Sequence, residues 1–470
     1  MKQTTEQKLQ SVFGNAVVHK GTVREAGLPR LPQYVVEYLV ATHISTANAA
    51  SDLGTMREHI ARNFPEAEAR EVVKARLVQE GEVVIIDKAS VEVNLRTGKL
   101  VCSLTFLGES NVDILEGVVN KHPRLLTGGM WGAYRIKYNY GKKRNSLVVR
   151  GVMPFQVDTP DLDEYAQFRG KFTTDEWIDV LLASVGYEPD QYNGRQKLLL
   201  LTRLVPALEA NVNMLELGPR QTGKTFLLRN MSPSVYTASG ANVSAASLFA
   251  NLSTGKLGIL ANYKIVQLDE IAHTSFDNVS TVSMLKDFME SGQFARGGQT
   301  YSSEASLVLA GNIDVRGDQP DDRYEHLFQP LPHELQDTAF LDRVHAYLPG
   351  WEIPKIAPNS ISQGHGLVVD YLGQVFTKLR SRDRRGVIQN LEMPTGLTRR
   401  DVVAVQKVVS GLFKLLFPHD VLDGTELQQL VNFVAEMRQR VNNELARMAP
   451  GEFQPKSFHF SSAARLKAVP

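Results

Sequence analysis

Apolar and polar positions change period along the 470-residue chain, and each change marks a new region. Residues 1–30 are polar apart from FGNAVV. Pro32 then opens PQYVVEYLVATHI, where Val35, Val36, Tyr38 to Val40 and His43 favour a buried helix. A second helical stretch, 52–64, places Met56, His59 and Ile60 on one face. From Gly81 the pattern alternates instead. VVIIDKASVEVNL, the turn Arg96-Thr97-Gly98-Lys99 and the return LVCSLTFLG predict a hairpin. A second hairpin follows, in which Tyr134, Ile136, Tyr138 and Tyr140 alternate with Arg135 and Lys137, and LVVRGV returns. Residues 1–160 therefore predict a mixed α+β domain, helical first and then β, for which an OB-like barrel is one option.

After a linker with Pro154 and Pro160, KFTTDEWIDVLLASVGY reads as a helix N-capped by Thr174, and QKLLLLTRLVPALEAN as a strongly apolar helix. Strand and helix then alternate. Strands at 214–217, 235–238, 265–268, 306–310 and 344–348 predict a parallel five-stranded α/β sheet within 161–355. Residues 356–450 turn all-helical, with helices at 366–380, 399–417 and 426–447. Thr425 and Gln428 suggest a capping box for the last, and its apolar stripe runs Leu427, Leu430, Val431, Val434, Met437, Val441, Leu445. Residues 451–470 read as a partly ordered tail.

Composition narrows the class. Hydrophobic residues make up 43% and charged residues 22%, as in soluble globular chains. A net charge of +1 means that any nucleic-acid surface is a local patch. Cys102 is the one cysteine, so no internal disulfide forms, and eleven histidines show no metal spacing. The polar MKQTTEQKLQ start and the lack of a long apolar run predict a cytoplasmic chain with no membrane partner.

The strongest chemical signal joins the first sheet strand to a helix. Gly218-Pro219-Arg220-Gln221-Thr222-Gly223-Lys224-Thr225 fits G-x-x-x-x-G-K-[ST]. In that pattern backbone N–H groups form an anion nest, Gly223 permits close approach, and Lys224 reaches the β/γ-phosphates. Thr225 offers a hydroxyl to Mg²⁺. ATP with Mg²⁺ is the expected ligand. Downstream, KIVQLDEIA ends an apolar strand in Asp269 and Glu270. Asp269 is expected to hold Mg²⁺ and Glu270 to polarise the attacking water. SLVLAGN ends in Asn312, which orients water or contacts the γ-phosphate, unless it is a strand-terminal turn residue. Arg343 precedes the fifth strand. It reads as an arginine finger reaching a neighbour's site, or as an ordinary ion pair with Asp342. Arg399 and Arg400 open a helix from which one senses the γ-phosphate, unless both are solvated. His273 reads as structural.

Three basic features suit a polymer-gripping surface. Lys142, Lys143 and Arg144 form a hairpin tip that contacts phosphate or merely protects an edge strand. Lys256 sits on a Gly turn, and Arg296 flanks a Gly297-Gly298 hairpin with Phe294 and Tyr301. Both hairpins are expected to project outward.

GPRQTGKT, QLDEIA, LAGN, FLDR and RRD, in this order, resemble the signatures of an AAA+ ATPase, with a hairpin before LAGN similar to that of MCM-type motors. VEYLVATHI, VIIDK, FTTDEWIDVLL, DTAFLDR, YLPGWEIPK and VSGLFKLLFP resemble the BrxL family, the Lon-like AAA+ factors of BREX phage-defence systems. The resemblance spans about residues 10 to 460. It implies an AAA+ P-loop core with a C-terminal helical lid. It also implies self-association into a hexameric or stacked ring that engages DNA, double-stranded and read with little sequence specificity, beside other BREX proteins. By the same resemblance Lys224 and Thr225 are Walker A, Asp269 and Glu270 Walker B, Asn312 sensor 1, Arg343 the finger and Arg400 sensor 2. Full-length members carry a C-terminal Lon-protease-like domain. This chain reaches only Pro470, so ATPase activity is expected of it and protease activity is not. Polypeptide unfolding in the manner of Lon, or a nucleotide-gated scaffold for other defence proteins, are the competing functions.

Overall fold

The computed structural model describes residues 4–462 apart from 29, 45–48, 66, 95–97, 127, 142–145, 156–159, 232–233, 241 and 278. The chain divides into two compact units, one of residues 15–158 with 368–371, the other of residues 1–14, 159–367 and 372–470.

In the smaller unit the expected helices are Gln33–His43 and Ala49–Asn63. Met56 and Ile60 are buried, but His59 is exposed and does not share their face. The alternating stretches form β1 (Glu82–Asn94), β2 (Lys99–Leu104), β3 (Glu109–Ile114), β4 (Met130–Tyr138) and β5 (Leu147–Pro154). They close into a barrel in the order β1-β2-β3-β5-β4, with β3 and β5 parallel and the other pairs antiparallel. A short helix, Glu116–Lys121, joins β3 to β4. The period-2 pattern puts Val83, Ile85, Val91, Cys102, Tyr134, Ile136 and Val149 inside. Asp87 breaks the pattern. Fully buried, its carboxylate accepts the N–H groups of Phe106 and Leu107, both at 2.8 Å, and so fastens the turn after β2. Burial raises its pKa while those N–H groups pull it down. Lys142, Lys143 and Arg144 lie outside the described residues.

The larger unit is built on β6 (Asn213–Gly218), β7 (Val235–Ser239), β8 (Ile265–Asp269), β9 (Gln293–Arg296), β10 (Gln299–Ser302), β11 (Ser306–Asn312) and β12 (Ala346–Pro349). All but β9 and β10 form a parallel sheet in the order β12-β6-β11-β8-β7. The expected fifth strand begins two residues late, because Arg343 and Val344 close a turn on Phe340 and Leu341. Buried on both faces, β6 has no exposed position, as an interior parallel strand requires. Every loop that leaves the carboxyl ends of β6, β8 and β11 emerges on one edge, where a ligand crevice is built.

Helix ends differ from expectation in a consistent way. Thr173, not Thr174, caps Thr174–Ser184, in a capping box with Glu176. Asp423, not Thr425, caps Gly424–Met448, paired with Glu426. In each case the residue with the extended backbone takes the cap, one or two positions upstream. The predicted helix over QKLLLLTRLVPALEAN is two pieces, Gly194–Thr202 and Val205–Leu208, because Pro206 cannot continue it. Its break turns Arg203 into the core. The expected apolar stripe of Gly424–Met448 is buried throughout. Residues 451–462 are no tail. Phe458 and Phe460 are buried, and Asn432 holds Phe460 through both backbone N–H and carbonyl.

Candidate functional site

The loop from Gly218 to Thr225 bridges β6 and the helix Phe226–Met231. Two glycines are required by neighbours. A Cβ on Gly218 would lie 2.5 Å from the Gly350 backbone. One on Gly223, where φ is +75°, would meet Ile356 at 2.7 Å and the Tyr187 hydroxyl at 2.8 Å. Gln221 is also left-handed, at φ 69°. Arg220 and Gln221 are exposed, whereas Thr222 is buried and its hydroxyl donates to the Pro219 carbonyl at 3.3 Å. Lys224 Nζ donates to the carbonyls of Gly218 at 3.0 Å and Pro219 at 2.7 Å, which lays the ammonium across the loop. Burial lowers its pKa, with Arg203 adding to the effect and Glu216 and Asp269 opposing it.

The Thr225 hydroxyl donates to Asp269 Oδ2 at the carboxyl end of β8. Mg²⁺ takes oxygen ligands and keeps several waters, so one hydroxyl beside one carboxylate is a donor set that fits it. Glu270 follows in the left-handed region, at φ 49°, a conformation that costs about 1 kcal/mol in a non-glycine residue. The kink turns its carboxylate off the strand end, where Ser239 Oγ donates to it at 2.8 Å. Asn312 ends β11 in register with Gly218. A cleft of about 680 Å³ has Pro219, Arg220, Glu270, His273, Asn312 and Lys355 among its lining residues. His273 is exposed there, not part of the core.

Arg343 and Arg400 lie elsewhere. They share a second cleft of about 750 Å³ with Asn211, Glu290, Asp342, His345, Arg385, Arg399 and Lys407. Asn211 lies two residues before β6 and His345 one before β12, so this cleft belongs to the amino edge of the sheet. Six residues of β6 separate the two edges, about 20 Å at strand spacing. Glu290 Oε2 lies 3.1 Å from Arg343 Nε and 2.9 Å from Arg400 Nε, and Asp342 takes Arg400 Nη1 at 2.8 Å. Arg400 therefore stands with Arg343 and away from its own chain's Lys224. Asp342 pairs with Arg400 and Arg438 and not with Arg343. In the cleft wall Lys407 donates to the Asn211 carbonyl at 2.7 Å, and burial beside Arg385 lowers its pKa to about 8.

The two expected hairpins meet at one place. β9 and β10 pair across Gly297-Gly298, and Leu252 in the neighbouring loop packs against Gly297. Lys256 is exposed. Phe294, however, is buried, stacked 5.3 Å from Tyr301 and near Phe249 and Phe288. Arg296 Nε donates to the Ala250 carbonyl at 2.8 Å. Both therefore fasten the hairpin to the core, because an apolar ring and a nearby carbonyl offer more than solvent does. Exposed Leu252 and Leu257 stand beside Lys256 in the other loop.

Several residues here carried no sequence signal. Arg203 forms a buried bidentate pair with Glu216, at 2.9 and 2.6 Å, behind the loop. Gln267 donates to the Lys224 carbonyl at 3.1 Å. The YLPGWEIPK segment, distinctive without an evident chemical reason, lies against the loop. Gly350 touches Gly218 and Lys355 lines the cleft, and just after the segment the Ile356 N–H donates to the Gln221 carbonyl at 2.8 Å. That distinctiveness was the available clue.

No helix among the described residues is long and apolar enough to cross a membrane. Two family models match the chain. Residues 11–138 match "BREX system Lon protease-like protein BrxL N-terminal", and residues 147–459 match "Lon-like protease BrxL-like, ATPase domain". Among curated proteins, the "Lon-like protease BrxL" of Bacillus cereus (strain H3081.97) is 34% identical over 462 residues, covering 96% of this chain and 68% of that protein. The "Lon-like protease BrxL" of Escherichia coli O9:H4 (strain HS) is 33% identical over 459 residues, covering 96% and 66%. The chain thus spans about two thirds of the length of these relatives. With an ATPase-domain match over most of its length and both parts accounted for, the chain belongs to the BrxL family.

Proposed function

We propose that this chain is a Mg²⁺-dependent ATPase subunit of a ring that engages DNA in BREX anti-phage defence. The division of labour between the sheet edges carries the reading. Loop, Asp269, Glu270 and Asn312 gather at the carboxyl edge, while Arg343 and Arg400 gather about 20 Å away at the amino edge. Guanidinium groups at that distance serve a neighbour's nucleotide, and head-to-tail contacts of this kind close into rings. The strand order, with the phosphate loop on the interior strand β6 between β12 and β11, supports an AAA+ core, and the three helices after residue 367 serve as its lid. Barrel order, a parallel β3–β5 pair and a helix before β4 support an OB-like N-terminal domain.

In this reading Lys224 and the loop N–H groups bind the β/γ-phosphates. Thr225 and Asp269 hold Mg²⁺, which when bound neutralises charge on the phosphate oxygens. Glu270 orients the attacking water and takes its proton, and Asn312 faces the same cleft to position it. Arg343 leaves Glu290, and Arg400 leaves Glu290 and Asp342, for the neighbour's γ-phosphate. Expected outcomes are simple. Lys224→Ala loses ATP binding, and Glu270→Gln binds ATP but loses hydrolysis by 10²-fold or more, roughly. Hydrolysis at the parental rate in Glu270→Gln contradicts the assignment.

For DNA, Lys256 is the exposed cation on the projecting loop. The barrel adds Arg135 and Arg150, both exposed around one Glu82, with Lys137 opposite it in register. Replacing Arg135, Lys137 and Arg150 with Ala is expected to weaken binding on any sequence and to flatten its salt dependence by about three. One observation favours polypeptide unfolding instead. Leu252 and Leu257 are exposed at the loop tip, where an apolar grip suits a peptide. Substituting these two leucines leaves DNA binding intact and abolishes unfolding if that alternative holds.

A further inference from the structure

A phosphate loop binds only if its peptide planes face the right way. In a trans peptide the carbonyl and the next residue's N–H point in opposite directions. Whatever holds a loop carbonyl outward therefore aims the following N–H inward. Three loop carbonyls are held this way by donors from elsewhere in the fold. Arg203 Nη1 donates to Thr222 at 3.0 Å, the Ile356 N–H to Gln221 at 2.8 Å, and Gln267 Nε2 to Lys224 at 3.1 Å. The N–H groups so aimed are those of Gly223, Thr222 and Thr225.

These donors are themselves fixed. Arg203 is buried, clamped by both oxygens of Glu216 and 3.3 Å from the Tyr187 hydroxyl. Gln267 is fully buried on β8, two residues before Asp269. Its Oε1 is buried without a partner among the described residues, so only the donor end of that amide is used. A polar side chain kept at that cost within a core strand needs a reason, and its bond to the Lys224 carbonyl supplies one.

We infer that Arg203 and Gln267 are positioning residues that pre-orient the peptide planes of the nucleotide phosphate site. The inference rests on reading the loop as an ATP site. Pre-orientation acts on the β-phosphate nest shared by ATP and ADP, so both ligands lose affinity in the same proportion. The test is calorimetric titration of the full chain with MgATP and MgADP, beside thermal unfolding without nucleotide. Gln267→Leu is the cleaner variant, since it removes the unpaired oxygen along with the donor. It is expected to raise both dissociation constants about tenfold, with the ATP KM rising more than kcat falls. Arg203→Lys keeps the charge but loses the fork and is expected to do the same. Folded Gln267→Leu with parental dissociation constants overturns the proposal, and it decides alone if Arg203→Lys does not fold. If the parental chain binds no ATP, or Lys224→Ala binds as the parent does, the ATP reading fails and not the orientation.

Discussion

Arg343 and Arg400 lean on the same oxygen of Glu290; Arg400 also holds Asp342, whereas Glu290 is the one carboxylate paired with Arg343 among the described residues. A half-exposed carboxylate shared by two guanidinium groups holds them weakly, because solvent screens such pairs. A fully buried partner would lock Arg343 in place. Arg343→Ala is therefore expected to leave ATP affinity near parental while lowering kcat by 10³-fold or more, roughly, the scale of a lost finger. Steady-state hydrolysis with a parallel binding assay checks both halves. Lys407 offers a pH test in the same cleft. Its folded pKa, near 8, lies below the ordinary lysine value, so the unfolded chain holds this proton more tightly. Folding is penalised below pH 8, and stability gains as pH rises from about 8 towards 10.5. Lys407→Met removes this contribution, so the melting-temperature difference from the parent narrows or reverses as pH falls through that window. The residues legible in sequence were those whose chemistry fixes their spacing, such as Gly223, Lys224 and Asp269. Arg203 and Gln267 were not, because only the folded chain brings them to the carbonyls of Thr222 and Lys224.

Among the elements, the helices Arg399–Leu416 and Gly424–Met448 are tied by one buried guanidinium. Arg438 donates to Asp401, Asp342 and the carbonyls of Asp342 and Val344. Burial alone would raise the Asp401 pKa, but Arg438, Lys456 and the Thr398 N–H outweigh it and hold it at about 2. The knot links these two helices to the turn that carries Arg343. Asp401→Asn leaves part of the Arg438 charge unmatched and is expected to cost about 3 kcal/mol. Chemical unfolding measures it, and a cost under about 0.5 kcal/mol contradicts the account. Periodicity predicted these helices well because each buries one apolar stripe. It missed their N-caps by one or two residues, since Ser, Thr and Asp cluster at such ends and only backbone conformation selects among them. It also missed the packed segment up to Ser462. Phe458 and Phe460 are too few to show a period, and Asn432 supplies the rest of the hold.

At the scale of the whole molecule, FLDR lies away from the chain's own phosphate loop, as the finger reading expected, and sequence order concealed only that RRD folds to the same opposite sheet edge. A parallel sheet sends every strand's start to one side and its end to the other, so residues before β12 cannot join those after β6. In the proposed ring, the two halves of each site therefore come from opposite sheet edges of adjacent subunits. That ring hydrolyses ATP between subunits. The direct measurement is ATPase activity of Lys224→Ala and Arg343→Ala chains, alone and mixed. Each alone is predicted to be inactive. In an equal mixture that exchanges subunits, about a quarter of the junctions join an intact loop to an intact finger, so up to about a quarter of the parental rate returns. No recovery in rings shown to be mixed, or parental activity in Arg343→Ala alone, contradicts it.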